Sequence, residues 1–129
     1  MSHQGRCSAT KTEKPATIFL LFLFLIIVSA QKTTTFTVGG NSGWTFNVEN
    51  WTDGKKFKAG DILVFNYDPS SHDVAVVNAN EFTSCSASSN SKTFSTGKDR
   101  VKLSKGLNYF ICTVPGHCNG GVKISVNAS

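Results

Sequence analysis

Past residue 30, the apolar positions fall into short bursts separated by Gly, Pro, Asn, Asp and Ser, and no stretch keeps a helical period long enough for a crossover helix. The runs "TTTFTVG" and "GWTFNV" combine Thr, Val and aromatic residues, and "DILVFNY" leads through the turn "DPSS" into "HDVAVVN". β-Branched and aromatic side chains fit a pleated, half-buried surface, so each run reads as a strand. In "DRVKLSKG", Val101 and Leu103 alternate with charged and polar residues, as in a strand with one wet face. Two further runs, "LNYFICT" and "VKISVN", are separated by the turn signals of "VPGHCNGG". One turn of helix is expected in "NANEFTSC" with Asn80 as its cap, and "TSCSASSNSKTFSTG" reads as a Ser-rich loop. Strands recurring at short intervals predict an all-β sandwich or barrel with short helical segments.

The first thirty residues follow a different rule. Arg6, Lys11 and Lys14 precede an unbroken apolar run of 11 residues from Ile18 to Val28, which ends in Ser29 and Ala30. That is the layout of a secretory signal peptide. Such a run spans about 16 Å as a helix, too short for a hydrocarbon core roughly 30 Å thick. Cleavage after Ala30 leaves a domain of 99 residues, 31–129, exported from the cell. No apolar run follows "ISVNAS", so no lipid anchor is expected at that end.

Charge narrows the partners. Residues 31–129 carry ten Lys and Arg against seven Asp and Glu, a net of +3, compared with +5 for the whole chain. The basic residues are scattered and interleaved with acids, unlike the concentrated patch of a nucleic-acid reader. They support at most a weak preference for acidic partners such as cell-wall polyanions. A monomer is expected. Asn50-Trp51-Thr52 is a sequon for N-glycosylation.

The candidate chemistry lies in Cys and His. Cys7 leaves with the leader, and Cys85, Cys112 and Cys118 stay: an odd number for an exported chain, in which thiols tend to pair. His72 opens an apolar run after a turn. Cys112 closes another run, and His117 follows it across the spacer "TVPG". A strand end and its adjoining turn can aim a thiolate and an imidazole at one point, with His72 as a third ligand from elsewhere in the sheet. Two imidazoles and one thiolate suit copper cycling between Cu(I) and Cu(II). If Cys112 is a ligand, Cys85 and Cys118 are left to pair. The competing assignment joins Cys112 to Cys118 and leaves no copper thiolate, and spacing alone keeps both open. No Asp and His pair is placed to activate a Ser hydroxyl, so a redox carrier fits better than an enzyme.

The segments "VGGNSGWTFNV", "AGDILVFNYDPSSHDVAVVN" and "KLSKGLNYFICTVPGHCNGGVKISVNA", with Cys85 between the last two, resemble the phytocyanins of plants, in their plantacyanin or basic blue protein group. The resemblance implies a cupredoxin-like Greek-key β-sandwich and a Cys85–Cys118 disulfide. It further implies one type 1 copper held by His72, Cys112 and His117, and extracellular one-electron transfer to a small or protein redox partner.

At one position the chain departs from that family. The family pattern puts an axial Met, or in the stellacyanin branch a Gln, five residues after the second ligand His, where this chain has Val122. Met1 is the only Met, and Gln31 the only Gln after residue 30. The expected site therefore has three protein ligands and a non-coordinating Val122, with the axial side left to a backbone carbonyl near Ser71 or to water. A valine adds no electron density to the metal, so a raised reduction potential is expected. The alternative is a copper-free phytocyanin-like binding or signalling protein.

Overall fold

Seven strands occur among the described residues, which in the computed structural model are Gly5 and 32–129. The expected leader and its cleavage point lie, apart from Gly5, outside them. The strands are β1 (Thr35–Thr37), β2 (Ile62–Asn66), β3 (Val74–Val77), β4 (Lys92–Phe94), β5 (Lys98–Lys102), β6 (Gly106–Ile111) and β7 (Lys123–Ala128), with one helix, α1 (Ala79–Ser84), after β3. Residues Thr33–Ser129 pack as one unit. One sheet has the order β1-β2-β5, with β1 parallel and β5 antiparallel to β2. The other, β4-β3-β6-β7, is antiparallel throughout.

Side-chain alternation explains how the layers close. On β3 and β6, Val74, Val76 and Phe110 face the main core, and Cys112 continues that face just beyond β6. Ala75, Val77, Tyr109 and Ile111 face the opposite side. The main core joins the two sheets: Leu63 and Phe65 of β2 meet Val74, Phe110, Ile124 and Val126, and the Phe65 and Phe110 rings lie 5.2 Å apart. Each such side chain, fully buried, contributes about 1.5–3 kcal/mol. The opposite face is covered by Phe82 of α1 and by the Cys85–Cys118 disulfide. The result is a cupredoxin-like β-sandwich in which β3 and the Phe110–Ile111 end of β6 are buried on both faces, which is why "VAVV" is apolar without a break.

Three details differ from the sequence reading. The run "GWTFNV" is not a strand: Gly43, at φ 73°, turns the chain, and Trp44 buries its ring against Phe65 at 5.0 Å. The cap of α1 is Asn78, not Asn80. Its side chain accepts the Glu81 N–H while the Glu81 carboxylate accepts the Asn78 N–H, a reciprocal pair unavailable to Asn80. Finally, the Ser-rich stretch contains β4, which pairs with β3 through Val74–Phe94 to Val76–Lys92. Serine content hid the short "KTF" pattern.

Candidate metal centre

The strands end so that two loops meet. β3 begins where β6 ends, with Ala75 opposite Ile111, and β7 begins at the same edge, with Lys123 also opposite Ile111. The loop before β3 and the turn between β6 and β7 therefore share one end of the four-stranded sheet. His72 comes from the first, Cys112 and His117 from the second.

Each loop is fixed by its own hydrogen bonds. Asp68 accepts the N–H and hydroxyl of Ser70 at 2.9 and 2.6 Å, and its carbonyl accepts the N–H groups of Ser71 and His72. This Asx-type turn sets the direction of the His72 backbone. Those Ser70 bonds also hold the Asp68 carboxyl below its ordinary pKa. In the second loop, His117 donates its N–H to Val114, Gly120 to Gly116, and Val122 to the His117 carbonyl, while Cys112 donates to the Val122 carbonyl, all at 3.0 Å. Gly116 turns the chain at φ 82°, a conformation costly for any residue with a Cβ.

The three side chains converge. His72 Nδ1 lies 3.6 Å from Cys112 Sγ, His117 Nδ1 lies 3.8 Å from that sulfur, and the two imidazole nitrogens are 3.0 Å apart. His72 and Cys112 are buried and His117 is partly exposed. Donors sharing one ion at about 2.0–2.3 Å each must stand some 3–4 Å from one another. The set, one sulfur and two imidazole nitrogens, fits a soft or borderline transition metal. Burial, and then the neighbouring His117, lowers the His72 pKa. Burial likewise raises that of the Cys112 thiol. Without metal both groups are neutral near pH 7, so binding must displace the thiol proton.

The remaining site-related positions are placed as follows. Val122 is fully buried in the same core cluster as Cys112. Cys85 and Cys118 are joined with a Cα separation of 5.6 Å, and Cys112 is the free cysteine among the described residues. Asn50 is exposed on a short 3-10 turn, Glu49–Thr52.

Three residues near the centre were not anticipated from the sequence. Asp73 accepts both the N–H and the hydroxyl of Thr113, and its carbonyl accepts the Trp44 indole N–H at 2.8 Å. The segment carrying Trp44 is tied to the second loop through Asn47 and Val48, which donate to Gly120 and Gly121. That tie sets Phe46 edge-on against both imidazoles, with ring centroids 4.8 Å from His117 and 5.5 Å from His72. The position of Asp73 directly after His72 was the available signal. Phe46 gave none, because its approach to the site depends on a turn between distant segments.

Residues 44–122 match the plastocyanin-like domain family. The basic blue protein of Cucumis sativus is 54% identical over 93 residues, 72% of this chain and 97% of that protein. The chemocyanin of Lilium longiflorum is 46% identical over 127 residues, 98% of each chain. Among solved structures, cucumber basic protein, a blue copper protein, superposes with a TM-score of 0.73 at 53% identity, covering 74% of this chain and all of that one.

Proposed function

The chain belongs to the plastocyanin-like domain family, in its plantacyanin or basic blue protein group, and on that premise we propose that it carries single electrons at a type 1 copper centre held by His72, Cys112 and His117. The observation that carries this reading is the convergence of one thiol and two imidazoles within 3.8 Å of one another at one end of the sandwich. Copper bound there would supply reversible one-electron chemistry between Cu(I) and Cu(II).

The protein's part is to hold, orient and dry the site. The Asp68 turn and the Val122 hydrogen bonds fix the ligand loops before any ion arrives, so little rearrangement accompanies a change of charge. The buried Val122 side chain and the core around Cys112 keep water from the sulfur side. Partly exposed His117, flanked by Phe46, gives a redox partner its closest approach. As a member of that family of blue copper proteins, the protein is an electron carrier, not an enzyme.

Export is the finer part of the proposal and rests on the basic, apolar and small-residue order of residues 1–30. Among the described residues, no helix is long and apolar enough to cross a membrane. Intact mass of the secreted protein tests the export reading, which requires a chain beginning near Gln31. The absence of an axial donor at Val122 favours a second reading, a copper-free binding or signalling domain. One titration separates the two. Cu(II) added to folded apoprotein should bind one per chain and give an intense visible thiolate-to-copper band, absent in Cys112→Ser. Folded protein with a free Cys112 that shows neither leaves the copper-free reading.

A further inference from the structure

Phe46, which packs against both imidazoles, also lines a cavity of about 210 Å³ together with Ser42, Thr45, Asn47, Val48 and Trp51, over the backbone of two glycines. We propose that it is a binding site for one ring of a neutral saccharide.

The cavity is built into the fold. A Cβ on Gly39 would lie 2.0 Å from the Gly43 carbonyl oxygen, and one on Gly43 would lie 2.5 Å from that of Asn66. Only glycine allows these backbones to approach so closely, and their approach forms the floor. Trp51 is steadied by the Lys55 ammonium 5.0 Å from its ring centroid and by Phe57. The walls therefore exist without a ligand, as small-molecule sites usually do.

Its chemistry selects the ligand. No lining side chain is charged, so nothing there pairs with a phosphate, carboxylate or amine. The backbone N–H groups of Ser42 and Asn47 are satisfied by Gly39 and Gly120. Among the described residues, the Ser42 and Thr45 hydroxyls and the Asn47 amide have no side-chain hydrogen-bond partner. Three neutral donor and acceptor groups thus surround a wall made by Trp51 and by Phe46, which is 46% exposed. A pyranose matches this arrangement, with hydroxyls around its rim and an apolar C–H face to lie on an aromatic ring. The size is that of one ring with its substituents. The same Phe46 ring touches both imidazoles, so an occupant would press on the residue that shields the metal ligands.

The proposal does not depend on the electron-carrier reading, because the cavity is complete without metal. It is tested by amide and indole NMR of the metal-free and Cu(I)-loaded proteins, titrated with methyl β-glucopyranoside, methyl β-galactopyranoside and N-acetylglucosamine. Sorbitol serves as an open-chain control and galacturonate as a charged one. Expected are saturable shifts at Ser42, Thr45, Asn47 and the Trp51 indole for at least one neutral ring, in both proteins. Asn47→Gly, which suits the φ of 60° there, and Ser42→Ala should each weaken binding about three- to tenfold. The proposal is overturned by no saturable shift with any of the three rings, by an equal response to sorbitol, by tighter binding of galacturonate, or by unchanged affinity in both variants.

Discussion

The Asp73 carboxylate receives both the N–H and the hydroxyl of Thr113, joining the residue after one proposed ligand to the residue after another. His72 and Cys112 come from separate loops, and this pair prevents those loops from moving apart. The carboxylate also places a negative charge next to the centre.

Asp73→Ala should cost about 1.5–3 kcal/mol in urea unfolding, the range for a charge-assisted hydrogen-bonded group. Asp73→Asn should keep part of that stability and raise the reduction potential, since a nearby negative charge favours Cu(II) over Cu(I). Voltammetry of the two variants beside the parent checks the sign. A potential that falls in Asp73→Asn would remove the electrostatic role.

At Val122 the side chain can be changed without removing the main-chain bonds to Cys112 and His117. Val122→Met should lower the potential, because a thioether stabilises Cu(II) more than Cu(I). Overpacking in this fully buried position should cost about 1–3 kcal/mol. Spectra confirming Met coordination, together with an unchanged or higher potential, would contradict the expectation.

The disulfide closes a loop between residues 33 apart in sequence. On the chain-entropy model its loss in Cys85→Ala/Cys118→Ala should cost about 3–4 kcal/mol. Peptide mapping without reductant should recover Cys85 with Cys118 and leave Cys112 free. A fragment joining Cys112 to either would remove both the disulfide and the copper assignment.

Acid should loosen α1 before the sandwich. The N–H groups of Asn78 and Ser88, with the Ser91 hydroxyl, hold the Glu81 carboxyl below its ordinary pKa. A depressed folded-state pKa gives stability that is complete above the unfolded value, about 4.3, and is lost as pH falls through the folded one. The protection of the Asn78 and Ser88 amides, measured as exchange relative to the intrinsic rate at each pH, should therefore fall below about pH 4. In Glu81→Gln that pH dependence should vanish, and its persistence would assign the effect to another group.

What the sequence revealed and what it hid follow from the range of the interactions. β2, β3, β6 and β7 were legible because their apolar pattern is local and strong. Cys112 and His117 were legible as a pair because a strand end and one turn connect them. Asp73 was visible only as the neighbour of His72, since its partner Thr113 is 40 residues away. Trp44 and Phe46 looked like alternating strand residues. Their real roles, a buried ring and a lid on two imidazoles, come from a glycine turn and from bonds to Gly120 and Gly121. β4 is an edge strand of three residues among serines, and its pairing with β3 leaves almost no local trace.

Strand β3 and the Phe110–Ile111 end of β6 are covered on both faces, whereas His72 and His117 hang on loops at their ends. The strands must be the last part to open and the loops among the first. An ion at this centre would then leave through brief loop excursions, not through unfolding of the molecule. Its residence time would be set by Asp68, Asp73 and Gly116, and dilute denaturant would hardly alter it. A chelator would empty the protein at a steady pace while β3 and β6 kept their amide protons.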